Sequence, residues 1–127
     1  MNSANSFLET DVLILGTGIS GLTSAILLAE AGLDVVLMTK EKDLAETNTF
    51  WAQGGIIFPG PEKVKGLAND IQAASSYTSC NLAINHLCQY SGDIVESFLL
   101  KKIKVPFKKN ADGNLDFTKE AAHSQSR

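Results

Sequence analysis

Apolar residues near the start of the chain form two short unbroken runs, separated by a segment with helical periodicity. The runs Val12–Leu15 and Val35–Met38 have the length and composition of strands buried on both faces. Residues 22–31 between them carry an apolar stripe of helical spacing, and Gly32 stands where a helix ends in a left-handed residue. Because two parallel strands need a crossover, the pattern predicts a βαβ unit.

The pattern farther along the chain predicts three helices. Residues 62–77 place apolar side chains on one helical face, which Gly66 weakens locally. Residues 82–90 and 93–102 are predicted as two separate helices, the second beginning after a Ser91 cap.

Short extended segments and turns complete the predicted elements. Residues 58–61 are predicted as a turn or linker. Residues 105–107 and 115–117 are predicted to pair as a hairpin, because residues 111–114 have turn composition.

Three glycines follow the first predicted strand in the spacing G-x-G-x-x-G. Gly16 permits a tight turn, Gly18 lets backbone N–H groups approach a pyrophosphate, and Gly21 lets the helix pack near the strand. The pyrophosphate would lie at the helix N-terminus, where free N–H groups and the helix dipole favour an anion. Since strand, helix and second strand flank the motif, it predicts dinucleotide binding, with a structural glycine turn as the alternative.

The end of the second strand departs from this fingerprint. An acidic residue usually stands there and binds a ribose hydroxyl, but this chain has Thr39 and Lys40, and the first acid is Glu41. Thr39 could bond a ribose hydroxyl and Lys40 could reach phosphate or ribose oxygens. A solvated strand end is the alternative for Lys40.

Residues 47–56 combine aromatic, small polar and glycine residues. Their hydroxyl and amide groups suit a cofactor's polar atoms, and Gly54 and Gly55 allow close backbone approach. The alternative is a helical turn ending at the glycine pair, with Phe50 and Trp51 in the core. The residues alone leave both open.

The C-terminal segment, residues 120–127, gathers a histidine, hydroxyl groups and an arginine. Such groups could bind a carboxylate-bearing substrate. An exposed polar tail is the interpretation that composition favours. His86, in a predicted helix, is interpreted as a structural or surface residue.

Length, net charge and cysteine spacing limit the number of domains and the kinds of ligand that the chain can bind. With 127 residues, 44% of them hydrophobic, the chain supports one globular domain over residues 10–127, preceded by a flexible tail at 1–9. A net charge of −3 excludes a nucleic-acid footprint. Cys80 and Cys88 lack metal-site spacing, so no metal is expected, and we expect reduced thiols in the cytoplasm. Glycines and acids interrupt residues 12–38, so no membrane span is expected.

Taken in order, the glycine motif, the Thr39-Lys40 strand end, residues 48–55 and residues 120–127 resemble the L-aspartate oxidases. These are flavoproteins of the succinate dehydrogenase and fumarate reductase superfamily. The resemblance implies the α/β class: a Rossmann-like FAD-binding domain with a parallel sheet, incomplete and limited to its N-terminal part. Ala121 and Ala122 replace two glycines of the family pattern.

The resemblance also implies noncovalent FAD, because Asn48 stands where succinate dehydrogenases carry the histidine that links the flavin. It implies weak substrate contacts from His123, Ser124 and Arg127. The cofactor-binding residues that it implies, together with the glycine motif, are Gly16, Thr17, Gly18, Ile19, Ser20, Gly21, Thr39, Lys40, Asn48, Thr49, Phe50, Trp51, Ala52, Gln53, Gly54 and Gly55.

The implied reaction is oxidation of L-aspartate to iminoaspartate in NAD biosynthesis, with oxygen or fumarate as electron acceptor and quinolinate synthase as a downstream partner. Family enzymes are several times longer, and their catalytic arginine would lie beyond Arg127. We therefore expect an N-terminal fragment that is inactive alone and marginally stable. The alternatives are a fumarate reductase- or succinate dehydrogenase-like flavoprotein and a non-catalytic dinucleotide-binding module.

Overall fold

The computed structural model describes residues 7–58, 64–120 and 122–127. Its contacts divide the chain into two compact units, Met1–Gly54 and Gly55–Arg127, where composition alone predicted one domain. Most of the predicted N-terminal tail and residues 59–61 of the predicted turn lie outside the described residues.

The first unit contains the predicted βαβ arrangement. Strands β1 (Val12–Leu15) and β2 (Val35–Met38) pair in parallel, and helix α1 (Ile19–Glu30) connects them and packs against both. The α/β class and the parallel sheet are confirmed. Helix α1 begins earlier than predicted, directly after the glycine turn, because the Leu22 N–H already donates to the carbonyl of Gly18 at 3.0 Å.

The prediction that β1 is buried on both faces is wrong for this chain. Ile14 is half-buried and lies under α1, whereas Leu13 and Leu15 on the opposite face are exposed. A continuous apolar run is typical of a strand buried on both faces of a sheet. Here the described residues of this unit cover only one face.

A one-turn helix, α2 (Asn48–Trp51), follows the loop after β2. The Thr47 hydroxyl accepts a hydrogen bond from the Phe50 N–H at 3.1 Å and so caps its N-terminus. A helical turn was one of the two interpretations of this stretch. Its aromatic side chains, however, are largely exposed rather than in a core.

The second unit is built mainly from helices. Helix α3 (Val64–Ala74) is followed by α4 (Asn81–Ile94), which continues directly into a π-helix (Val95–Lys102). The predicted break and cap at Ser91 are wrong, because Ser91 lies inside α4 and the chain changes from α to π geometry without unwinding. The buried apolar side chains among the described residues all belong to this unit: Leu67, Ile84 and Val95.

A turn forms where it was predicted, but the predicted pairing of residues 105–107 with residues 115–117 is wrong. The Asn110 N–H donates to the carbonyl of Asn114 at 2.8 Å and closes the turn, and the antiparallel contacts lie next to it, in a bridge between Lys109 and Leu115 and a bond from the Asp116 N–H to the carbonyl of Lys108 at 3.0 Å. Pro106 cannot donate to a ladder, which limits pairing on that arm. Across the described ranges, every helix is too short or too polar to cross a lipid bilayer.

Candidate functional site

An open cleft of about 520 Å³ lies in the first unit, where the two strands end and α1 begins. Its volume falls within the roughly 300–1,000 Å³ typical of small-molecule sites. The carboxyl ends of parallel strands are where ligands bind in open α/β sheets. The residues that line the cleft are Gly16, Thr17, Gly18, Thr39, Lys40, Glu41, Glu46, Thr47, Asn48, Thr49 and Trp51.

Two glycines shape the turn at the floor of the cleft. Gly16 has a left-handed φ of 113°, and its N–H donates to the carbonyl of Met38 at 2.7 Å, which fixes the turn to the end of β2. A Cβ on Gly21 would lie 2.0 Å from the carbonyl oxygen of Gly16. The first turn of α1 can therefore lie against this turn only because residue 21 has no side chain.

The N-terminus of α1 opens toward this turn. Gly18 precedes the helix in an extended conformation without a side-chain cap, and the Thr49 hydroxyl accepts a hydrogen bond from the Ile19 N–H at 3.0 Å. The Thr17 hydroxyl oxygen is buried and has no partner among the described residues. A buried polar atom normally has a partner, so a ligand with polar or anionic atoms fits this position.

The hydrogen bond from Ile19 to Thr49 gives a first test of the site. Thr49→Val keeps the shape of the side chain but leaves the Ile19 N–H without its acceptor. We expect an approximately fivefold loss of dinucleotide affinity, since losing a helix-capping oxygen costs about 1 kcal/mol. Titration with the dinucleotide, followed by the fluorescence of Trp51, measures this affinity. Thr49→Ser should restore the affinity, and a serine variant as weak as the valine variant would contradict the role of the hydroxyl.

The end of β2 presents its polar side chains to the cleft. Lys40 Nζ lies 3.3 Å from Glu41 Oε1, and the Lys40 side chain is 91% exposed. The Thr39 hydroxyl accepts a bond from the Glu41 N–H at 3.3 Å. An exposed ion pair of this kind is weak, so Lys40 can leave Glu41 for a ligand at little cost.

Glu46 is a lining residue that the sequence did not indicate. Its carboxylate accepts a hydrogen bond from the Trp51 indole N–H at 2.7 Å, which links the loop before α2 to the last residue of that helix. The rings of Phe50 and Trp51 meet edge to face with centroids 5.1 Å apart. The indole is thereby oriented at the wall of the cleft. Glu41 was also missed as a lining residue, whereas Thr47 lies in the stretch 47–56 whose hydroxyl groups were predicted to suit a cofactor.

Half of the predicted cofactor residues do not line the cleft. Ser20, Gln53 and Gly54 are exposed, and Gly21 acts through packing. Their role in cofactor binding stays a prediction. The full set outside the cleft is Ile19, Ser20, Gly21, Phe50, Ala52, Gln53, Gly54 and Gly55.

The C-terminal segment is docked within the second unit, so the favoured interpretation as an exposed polar tail is wrong. Arg127 is buried and forms an ion pair with Asp70, with 2.6 Å between Nη2 and Oδ2. Ser124 bonds the same carboxylate, and His123 is half-buried. The structure thus brings the three predicted substrate residues together around an acid that the sequence did not indicate.

A family model and two relatives, compared with this chain, agree on the kind of domain. The sequence model of the FAD binding domain matches residues 11–127. The chain is 38% identical to the L-aspartate oxidase of Halobacterium salinarum over 120 residues and 37% identical to that of Clostridium acetobutylicum over 121 residues. These alignments cover 93% and 94% of this chain but 23% and 27% of the relatives, so the chain spans about a quarter of their length.

A solved structure shares the fold. A chain of the Mycobacterium smegmatis Sdh1 complex in the apo form superposes with a TM-score of 0.80, at 21% identity, over 93% of this chain and 20% of that one. The identity is low, so this likeness supports the fold alone.

Proposed function

Because the chain belongs to the FAD-binding domain family, we propose that it forms the nucleotide-binding part of an FAD-dependent oxidase that acts on L-aspartate. FAD is the cofactor that the family and its relatives imply. The cleft at the N-terminus of α1, with the buried unpaired oxygen of Thr17, is the observation that carries the proposal.

The residues of the cleft suit the pyrophosphate and ribose parts of FAD. The first turn of α1 and the Thr17 hydroxyl offer donors to phosphate oxygens, and Lys40 supplies a positive charge at the open side. Thr39 and Glu41 offer oxygens to ribose hydroxyls. Asn48 lines the same cleft and has no nucleophilic nitrogen for a flavin link, which supports noncovalent binding.

The proposed reaction, oxidation of an amino acid by FAD, is inferred from the names of the relatives. When bound, FAD supplies the acceptor for the hydride that leaves Cα of the amino acid. L-aspartate is the proposed donor, oxygen or fumarate the proposed final acceptor, and quinolinate synthase the proposed consumer of the product in the cytoplasm. The names of the relatives, which are L-aspartate oxidases, support this choice over a donor without an amine.

The binding step can be tested with the chain itself. Trp51 is the only tryptophan and lines the cleft, so its fluorescence should be quenched on FAD binding, together with an absorbance band near ~450 nm in the bound fraction. Trp51→Phe is the control for the origin of the signal. Quenching by NAD or ADP without flavin retention would contradict the proposal and favour a non-catalytic dinucleotide module.

The donor is tested by anaerobic titration of the FAD-loaded protein. The expectation that this chain is inactive alone predicts no loss of the flavin absorbance with either donor. Loss with L-aspartate and not with succinate would instead identify the amine donor, because the proposed hydride leaves a carbon that bears an amine. Loss with succinate alone would instead favour a dicarboxylate dehydrogenase.

A further inference from the structure

A single carboxylate oxygen holds the C-terminal segment of the second unit. Asp70 Oδ2 accepts hydrogen bonds from the Ser124 N–H at 2.8 Å, from the Ser124 hydroxyl at 3.0 Å and from Arg127 Nη2 at 2.6 Å. The donors lie 54 and 57 residues along the chain from this acid. Three donors on one oxygen, one of them cationic, form a strong local anchor.

The helix that carries Asp70 is shaped to receive the segment. Gly66 lies one turn before Asp70 on the same face of α3. A Cβ on Gly66 would lie 3.0 Å from Gln125 Nε2, 3.3 Å from Arg127 Nη2 and 3.4 Å from Ser124 Oγ. Glycine lowers helix stability, so its presence in α3 is explained by the space that the segment occupies.

The ion pair lies away from water. The Arg127 side chain is 0% exposed and that of Asp70 is 12% exposed. Removing one partner from such a pair leaves the other charge buried and unpaired, which is costly. The Arg127 N–H also donates to the carbonyl of Thr118 at 3.2 Å, so both the backbone and the side chain of this residue are fixed.

We propose that Asp70 is a positioning residue that fixes residues 122–127 on the Gly66 face of α3 and thereby orients His123 and Ser124. The step from a fixed segment to substrate binding rests on the proposed function, in which these side chains contact the dicarboxylate. The anchor itself depends only on the contacts of Asp70.

The anchor is tested by amide hydrogen exchange in the intact chain. Asp70→Asn keeps the shape but removes the charge, and Asp70→Ala removes all three acceptor contacts. We expect exchange at the Ser124 amide to accelerate by about tenfold or more, because a hydrogen bond to a charged acceptor is stronger than one between neutral groups. Asp93→Asn, which makes the same change at an exposed position of α4, is the matched control. Unchanged exchange in both Asp70 variants would overturn the proposal.

Acid titration of Asp70 gives a second test of the anchor. The Ser124 N–H first, then its hydroxyl and the positive charges of Arg127 and His123, hold the pKa of Asp70 below its usual value, against the effect of burial. The anchor should therefore be complete above the ordinary pKa of about 3.9 and lost as the pH falls through the lowered value. The Ser124 amide shift should follow this titration in the wild type and stay flat in Asp70→Asn. A transition that persists in Asp70→Asn would contradict the assignment.

Malonate, a dicarboxylate without an amine to oxidise, tests the functional consequence. In the FAD-loaded wild type we expect malonate to shift the His123 and Ser124 amide signals, with affinity about tenfold weaker in Asp70→Asn and unchanged in Asp93→Asn. Equal affinity for malonate in the wild type, Asp70→Asn and Asp93→Asn would show that Asp70 does not orient His123 and Ser124. If malonate leaves the wild-type signals unmoved, the proposed substrate contacts fail, whereas accelerated exchange in Asp70→Asn still supports the anchor.

Discussion

Gly21→Ala is expected to abolish FAD binding and to destabilise the first unit. The added Cβ would lie 2.0 Å from the carbonyl oxygen of Gly16 and 3.1 Å from its carbonyl carbon, and these backbone atoms cannot rotate away as a side chain can. Overpacking typically costs about 1–3 kcal/mol and sometimes more. The gain in helix propensity from glycine to alanine is only about 1 kcal/mol, so the clash prevails.

Thermal unfolding by circular dichroism and FAD titration by Trp51 fluorescence measure the two effects. Ser24→Ala is the matched control, because Ser24 is exposed on the same helix and the substitution should change stability by less than about 0.5 kcal/mol. A Gly21→Ala protein that melts and binds FAD as the control does would show that α1 can move away from the turn without loss.

The βαβ unit could be predicted because its signals are local. Each strand is a short apolar run, the crossover helix has its own period, and Gly16 and Gly32 stand at positions with left-handed φ values of 113° and 83°. The resemblance of the chain to FAD-dependent enzymes rests on this stretch together with residues 48–55 and 120–127. The burial of β1 was mispredicted, since covering a second face depends on elements that the run itself does not encode.

The C-terminal segment shows where local patterns fail. Asp70 and Arg127 are 57 residues apart, and nothing in the composition around either residue indicates the other. Composition alone therefore favoured an exposed tail. Gly66 was interpreted as a weak point of its helix, whereas its missing side chain makes room for Ser124 and Gln125. A glycine at a costly helical position could have suggested a close contact, though not its partner.

The predicted helix boundary at Ser91 failed for a related reason. Serine is a common cap, so Ser91 was interpreted as the start of a second helix. The structure instead buries Ile84 and Val95 on either side of this position, in α4 and at the start of the π-helix. Apolar packing on both sides favours a continuous helix over two capped ones, because tertiary contacts outweigh local propensity.

Because this apolar core is small, Leu67→Ala is the second substitution from which we expect a large effect. Leu67 in α3 is 3% exposed and is one of three buried apolar side chains among the described residues. Truncating a buried leucine costs about 2–5 kcal/mol, from the lost transfer energy and the cavity that remains. Since domains of this size are stable by only about 5–15 kcal/mol, the second unit should lose much of its stability.

Urea unfolding followed by far-ultraviolet circular dichroism measures this loss as a lower midpoint. Leu82→Ala is the matched control, because Leu82 makes the same chemical change in α4 but is 80% exposed, and its midpoint should stay near that of the wild type. Equal midpoints for the two variants would mean that Leu67 does not belong to a packed core. A selective effect of Leu67→Ala would show that packing of α3 against α4 holds the second unit together, and with it the helix face to which Asp70 fixes Ser124 and Arg127.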